Sequence, residues 1–545
     1  TMADVRPESR KFLKEALHLS GADFNRLAPF LGKVVAILRR LNVRAVLQTD
    51  TDFLGMFYEA FLRYGYDNNA LGIVFTPRHI TRFCVGLAGV APNDRVIDIA
   101  CGTGGFLVAA FDKMKSLAKG PTAINKIKES LHGFDTNPTV WALSVLNMFF
   151  RGDGKSHIEH SSCFDKTNRK NTAGRFSRSF LNPPFSQDEE PEKDFIDAAM
   201  DALEPGGIMA AVVYAGIFAD EDHKDWRKQF LRKHKLLGMI SLPEDLFYPT
   251  AAPTTIIVAE AHHPQEPEDR ILMARVWNDG FTKLKNRRVE QSGDQLPVVL
   301  SCFERLRSGQ SFNSPIACTV LGSNLREGAE WSPQQWLPQP PLEQDDCHRL
   351  QRLVIRSIYQ AVAQFPDLAD EVLEDFASGW QESPAMPVAR TERVDYFFEV
   401  LNGKSTGEKN YSDGTIPYIS SGDTTNSIIN LVSGDDAEMF QFGGITVTAF
   451  GQASVQPWSF LARGNGGSAV RVLVPKFNMS IRELGWFAAQ INYQRWRFFY
   501  ARMSIKSRLE RLMISSPTTR MPDGNQSLYE NVRSFRTDLD TFSAV

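Results

Sequence analysis

A chain of 545 residues is longer than one hydrophobic core holds comfortably, so about two to four domains are expected. Its 43% hydrophobic and 23% charged residues are ordinary for a globular protein, and a net charge of −3 does not by itself announce a polyanionic partner. Six cysteines without close metal-ligand spacing exclude a disulfide framework or a zinc knuckle and read as buried thiols of a reducing compartment. The opening TMADVRPESRKFLKE lacks the basic-then-apolar pattern of a secretory signal, and no apolar run is long enough to span a bilayer. A cytoplasmic protein without a membrane partner is expected.

In chain order, FLGKVVAILRRLNVRAVL and FLGMFYEAFLRYG carry helix-period apolar positions, giving an N-terminal helical domain over 1–70. Strand and helix then alternate. RVIDIA (95–100) is a short apolar strand, followed by a glycine-rich turn and the helical FLVAAFDKM. LHGFD (131–135) is a second strand and PTVWALSVLNMFF a second helix. GGIMAAVVYAG and KLLGMISLP follow as strands, with a charged helix around 221–234 before the latter, and TTIIVAEA closes the region. Mostly apolar strands alternating with helices predict an α/β class, an open sheet covered on both faces, over 71–300. Residues 301–387 are expected to connect, with a Pro-rich stretch (331–341) and a helix ending near 365. From 388 to 515 strands bounded by Gly, Asn, Asp or Ser return, closing on helical SIRELGWFAAQINYQ and basic SIKSRLERL. The polar segment 516–545 reads as a tail or docking segment.

Between the first strand and its helix lies DIACGTGGF, which sets Asp98, Gly102, Gly104 and Gly105 at a tight turn. Glycines suit a backbone that must turn sharply and lie against a ligand, while the helix start offers free N–H groups. A phosphate-binding fold uses the same geometry, although the dinucleotide pattern G-x-G-x-x-G is absent. Asp135 ends the second strand, where a carboxylate can accept both hydroxyls of a ribose; helix capping is the alternative for either Asp.

Downstream, Asn182-Pro183-Pro184-Phe185 joins an amide, two rigid prolines and an aromatic ring. That set fits a flat base bearing an exocyclic amine. The Asn182 side-chain oxygen and the Pro183 carbonyl can accept the two amine hydrogens, with the prolines restricting the backbone that aims them. Phe185 can stack on a base that has left the duplex. An aromatic amine is a weak nucleophile, and two acceptors on its hydrogens leave its lone pair free to face an electrophile.

These motifs resemble the amino-methylating DNA methyltransferases, in particular the modification subunits of type I restriction systems. The glycine motif of that family matches 98–106, its Thr-Pro motif matches GIVFTP (72–77), and the preceding helical stretch resembles DFLGMFYE (52–59). The resemblance implies a Rossmann-like sheet binding S-adenosyl-L-methionine among Phe75, Thr76, Asp98, Gly102, Gly104 and Asp135. It further implies methyl transfer to adenine N6 of a flipped base in double-stranded DNA, within a restriction-modification or related defence system. One departure stands out: where the family has an Asp near the cofactor's adenine, this chain has Ser162, with Asp165 three residues later.

Residues 388–515 resemble one target-recognition domain of a type I specificity subunit, an α+β domain, through GTIPYISSGD, GGITVTAFG and the closing Ile505-Lys506. Tyr418, Asp423, Asn426, Gln452, Trp458 and Arg463 suit base edges or phosphates, and Arg495, Arg497, Arg502, Lys506 and Arg508 suit phosphates. Between Gln441 and Ser515 ten Arg or Lys stand against two Glu, a local +8 that the whole-chain sum hides. Cytosine N4 methylation and a catalytically silent DNA-binding module remain open alternatives. A homodimer on a split target and a monomer on a continuous one are both compatible with a single recognition domain. No nucleotide-binding P-loop is found, so a cleaving restriction or defence subunit is expected to be encoded separately.

Overall fold

The computed structural model describes residues 75–543 apart from 154–155, 185–189, 248–251, 285–286, 341, 373–382, 423–424, 435–436, 442, 467–468, 501 and 523–524. The expected N-terminal helical domain over 1–70 lies outside the described residues. Contacts divide the chain into two compact units that meet in sequence at Leu337–Pro338.

The first unit opens with α1 (Arg78–Leu87), β1 (Val96–Asp98), α2 (Gly105–Leu117), α3 (Pro121–Lys128), β2 (Leu131–Asp135) and α4 (Pro138–Phe150). It continues through β3 (His157–His160), α5 (Lys166–Thr172), β4 (Phe176–Leu181), α6 (Glu192–Ala202) and β5 (Leu203–Tyr214). Helix α7 (Lys224–Lys233) leads into β6 (Lys235–Ser241), β7 (Thr254–Glu260) and β8 (Arg270–Arg275). A hairpin of β9 (Phe281–Leu284) and β10 (Arg287–Glu290), then α8 (Leu296–Arg307) and β11 (Ala317–Leu321), complete the unit. Nine strands form one sheet in the order β11-β8-β6-β7-β5-β4-β1-β2-β3. From β3 to β5 neighbours run parallel, β7 is antiparallel between β5 and β6, and β11 is an antiparallel edge.

Both faces of the sheet are covered, for a reason visible along β5. Its residues Ile208 to Val213 are all buried, and successive side chains point to opposite faces. Ala210 and Val212 join a core with Phe83, Leu107, Trp141 and Phe303 of α1, α2, α4 and α8. Met209, Ala211 and Val213 join another with Phe195 and Ile196 of α6 and Phe230 of α7. A strand buried on both sides reads as a continuous apolar run, as GGIMAAVVYAG does.

The α/β class and the sheet covered on both faces agree with the expectation, but the sheet extends further than TTIIVAEA. Strands β8 and β11 add to it, and Trp331 is buried in its core. The expected connection over 301–387 is thus divided, with 301–337 completing the first unit.

The second unit begins with α9 (Gln344–Gln364) and a short strand β12 (Thr391–Arg393), followed by β13 (Phe398–Asn402), β14 (Asp413–Ile419), β15 (Ile428–Val432) and β16 (Gly444–Val447). Then come β17 (Ala453–Gln456), β18 (Leu461–Ala462), β19 (Arg471–Pro475), α10 (Ile481–Tyr493), α11 (Lys506–Glu510), β20 (Met513–Ser515) and α12 (Asn525–Ser543). A four-stranded sheet β13-β19-β16-β17 and a three-stranded sheet β15-β14-β18 share the unit with the pair β12-β20. Helix α10 starts at a capping box: Ser480 Oγ accepts from Glu483 N at 3.3 Å, and the Glu483 carboxylate accepts from Ser480 N at 2.9 Å. The tail expected over 516–545 is helical over most of its length, and α12 buries Leu528 and Val532 in the core of this unit. Its apolar residues repeat at helical spacing between polar ones, a pattern that hides its hydrophobic stripe in a polar average. Among the described residues no helix is long and apolar enough to cross a membrane.

Candidate active site

The parallel strands β1, β2, β3 and β4 end side by side. Asp98 lies opposite Gly133 and Phe180, and Asp135 opposite His160, so Asn182 falls just past the same edge. Ligands of open α/β sheets bind outside this carboxyl edge.

From β1 the chain enters the glycine turn. Gly102 has φ +55° and Gly104 φ +81°, both in the left-handed region that a Cβ disfavours. A Cβ at Gly102 would project into open space, whereas one at Gly104 would lie 3.3 Å from Ser144 Cβ. The Gly102 N–H donates to Asp135 Oδ2 at 2.9 Å and the Asn137 N–H to Asp135 Oδ1 at 2.8 Å. Each Asp135 oxygen keeps one lone-pair direction beyond these bonds. Burial raises the Asp135 carboxyl, against the lowering effect of those two N–H groups.

Asp98 is 1% exposed. Its Oδ1 accepts from Ala100 N at 3.2 Å, while its Oδ2 is buried without a hydrogen-bond partner among the described residues. Burial pushes this carboxyl up to about 8, with the nearby Asp135 charge adding to the rise. An orphaned buried oxygen beside an open glycine backbone fits a polar ligand that completes the hydrogen bonding, as the amino-acid end of S-adenosylmethionine would.

At the end of β4, Asn182 and Pro184 are half-buried and Pro183 is buried. The Asn182 Nδ2 donates to Thr76 Oγ1 at 2.7 Å, and its Oδ1 is buried with no partner among the described residues. The amide therefore presents a bare acceptor at the carboxyl edge. Phe185 lies outside the described residues. Phe75 and Thr76 line a cavity with Thr103 and Gly105 of the turn, so the Thr-Pro motif and the glycine motif meet as expected.

Sequence reasoning missed the cations of that cavity, Arg78, Arg82 and Arg151, which share it with Asp112. Burial lowers the Arg78 guanidinium to about 10, helped by the charges of Arg151 and Arg82. The available signal was FTPRHITR, which sets two arginines four apart on one helical face. After β3, Ser162 is spent on a local turn, its Oγ accepting from Phe164 N at 3.1 Å, while Asp165 is exposed at the start of α5.

In the second unit several expected DNA contacts face inward. Tyr418 is 0% exposed, packs with Val432 and Leu461, and its hydroxyl donates to the Thr406 carbonyl. Trp458 is fully buried. Asn426, 3% exposed, donates to the Val455 carbonyl at 2.9 Å and Gln456 Oε1 at 3.1 Å and accepts from Ser357 Oγ at 2.8 Å. Arg497 and Arg502 are 7% and 2% exposed, with Arg497 Nε donating to Gln494 and Arg502 to the Arg497 carbonyl. A side chain sealed in this way does not reach a base edge or a phosphate without unfolding its surroundings, so these five are structural. Gln452 and Arg495 are half-buried and joined at 2.7 Å, Arg463 is half-buried, and Arg508 donates to the Met503 carbonyl at 3.1 Å. Lys506 is exposed beside Glu510, and Asp423 lies outside the described residues.

Comparison with known proteins places residues 49–312 in a match to the family described as N-6 DNA Methylase, over the region that carries the Thr-Pro and glycine motifs, Asp135 and Asn182–Phe185. The resemblance read from the motifs is borne out there. The chain is 33% identical over 248 residues to the "Type II restriction enzyme and methyltransferase RM.BcgI" of Heyndrickxia coagulans, covering 44% of this chain and 39% of that protein. It is 25% identical over 274 residues to the "Type I restriction enzyme EcoEI methylase subunit" of Escherichia coli, covering 47% and 55%. A crystal structure of the type I restriction-modification system methyltransferase subunit from Streptococcus thermophilus matches at 17% identity and TM-score 0.45, covering 59% of this chain and 71% of that one. The chain spans 39% and 55% of the lengths of the first and second of these relatives.

Proposed function

We propose that this chain is a site-specific DNA methyltransferase that moves a methyl group from S-adenosylmethionine to the N6 amine of adenine, as the modification enzyme of a restriction-modification system. The observation that carries the reading is Asn182 Oδ1, buried without a partner among the described residues at the carboxyl edge that also carries the glycine turn and Asp98, in the region matched to the N-6 DNA Methylase family.

S-adenosylmethionine supplies an electrophilic methyl group on a positively charged sulfur. Asp98, Gly102, Gly104 and Asp135 hold it by the turn, with Phe75 and Thr76 across from them. Asn182 Oδ1 and the Pro183 carbonyl accept the two hydrogens of the adenine amine, drawing its lone pair out of conjugation and aiming it. Fixed acceptors also stabilise the positive charge that grows on that nitrogen as it bonds to carbon, without reorganising. The proton then leaves to water. Neither Cys101 nor Cys163 takes part, since burial pushes both thiols upward and away from the reactive thiolate.

The second unit selects the DNA target, Lys506 and the half-buried basic side chains of 463–508 meeting phosphates. Double-stranded DNA is the partner, and a separately encoded restriction subunit cuts unmodified sites. The test is incubation of the full chain with S-adenosylmethionine and unmethylated DNA, followed by nucleoside mass spectrometry. N6-methyladenine is expected; N4-methylcytosine would move the reading to the cytosine amine, and no methylated base at all would overturn it.

A further inference from the structure

Thr76 and Asn182 are 106 residues apart in sequence, one before α1 and the other after β4, yet their side chains are joined at 2.7 Å. The Asn182 amide has four hydrogen-bonding directions, and this contact fills one on the nitrogen side while the oxygen stays bare. The two ends of an amide occupy nearly the same space, so only hydrogen bonds decide which end faces a ligand. An adenine amine offers two donors. Facing it with the Asn182 NH2 would set donor against donor, and facing it with Oδ1 requires another acceptor for the NH2. Thr76 Oγ1 is that acceptor.

Resting on the methyl-transfer reading above, we infer that Thr76 is a positioning residue for the reaction: its hydroxyl holds the Asn182 NH2 so that Oδ1 faces the substrate amine. The scaffold around Thr76 is stiff. The carbonyl of the following Pro77 accepts from Ile80 N and Thr81 N, both at 3.0 Å, fixing the segment to the first turn of α1. His79, in that same turn, meets the fully buried Asp279 at 2.9 Å, and Asp279 also pairs with Lys283 at 2.7 Å. The contact also joins a chain of hydrogen bonds, from the amine through the amide to the hydroxyl. As the amine nitrogen gains positive charge, the amide polarises and its N–H bond to Thr76 strengthens. Removal of the hydroxyl is therefore felt in the transition state more than in the ground state.

This role differs from cofactor contact in what it changes. In the full chain, Thr76→Val should slow single-turnover methyl transfer to unmethylated plasmid DNA by ~tenfold at saturating S-adenosylmethionine, the loss of about one hydrogen bond. Thr76→Ser should restore most of the rate, and the calorimetric Kd for S-adenosylmethionine, measured for each variant, sets the concentration that saturates it so that a changed cofactor contact does not enter the rate. Adding Thr76→Val to Asn182→Ala should produce no further loss, because the two act as one unit. A readout without turnover follows the side-chain amide resonance of Asn182, assigned by its disappearance in Asn182→Ala: it should shift in Thr76→Val and return in Thr76→Ser. A wild-type rate for Thr76→Val at saturating cofactor, a loss explained entirely by weaker cofactor binding, or an unmoved amide resonance would each overturn the inference. Failure of wild type to methylate DNA would instead overturn the reaction assigned above, and the resonance would still decide whether the hydroxyl holds the amide.

Discussion

Asn182 of the first unit, half-buried with its side-chain oxygen sealed from solvent, and Asn426 of the second, buried throughout, have hydrogen bonds that give them opposite meanings. Asn426 is saturated: two donor bonds, one acceptor bond and a backbone carbonyl bound by Gln456 at 3.1 Å tie together α9, β17 and the turn it occupies. Its φ of +56° is one that Asn tolerates better than most residues. Asn182 is half-finished among the described residues, its nitrogen bonded and its oxygen bare. A protein that seals a polar atom without a partner forgoes stability there unless something else arrives to complete it. The saturated amide is architecture, and the other, on the function proposed above, is the one that meets a ligand.

The sharpest way to break this contrast is to remove each amide. Asn182→Ala should slow methyl transfer by at least ~10²-fold, comparable to losing one transition-state hydrogen-bond partner, with little change in stability. Single-turnover kinetics beside urea unfolding measure both; a normal rate would show that the bare oxygen has no catalytic meaning. Asn426→Ala should do the reverse, destabilising the second unit by about 2 kcal/mol because buried partners are stranded and an alanine is left in a left-handed turn. If the variant stays as stable as wild type but changes its DNA target, Asn426 is a reader of bases after all.

Asp98 extends the comparison to charge. Its folded pKa of about 8 lies above the unfolded value of 3.8, so the folded protein holds a proton that the unfolded chain has lost between those limits. Stability from this group is present below about pH 4 and declines as pH rises toward 8, by about 1 kcal/mol between pH 6 and 7. Asp98→Asn should flatten that decline in urea titrations of the ligand-free chain; an unchanged slope would show that the carboxyl is ionised when buried. The smallest effect belongs to the surface. Lys506→Ala should weaken DNA binding a few-fold and reduce the salt slope by about one unit, read by anisotropy across a salt series. Equal slopes would remove Lys506 from the interface.

The parts of this molecule legible in sequence are those where local pattern and tertiary role coincide. LHGFD and PTVWALSVLNMFF were readable as a strand and a helix because Thr136-Asn137 between them and Pro138 at the helix start let neither run on, and they appear as Leu131–Asp135 and Pro138–Phe150. The turn after Asp98 was readable because its backbone requirement is local, with Gly102 and Gly104 both at positive φ. Strands β8 and β11 were not, since an antiparallel edge pair brings together residues more than 40 apart with no connecting motif. Nor was the Thr76–Asn182 bond, which only the meeting of two distant segments creates. Tyr418 and Asn426 misled because polarity states what a side chain can bond to and says nothing about which way it points.

The antiparallel pair β12-β20 sets Thr391 opposite Ser515, so the strand-rich part of the second unit leaves the chain and rejoins it at neighbouring points. Whatever lies between can lengthen, shorten or change its loops while those two points stay put. Such a segment is a cassette: variation within it need not be transmitted along the chain, and descendants of this protein can diverge there while sharing one unaltered nine-stranded sheet.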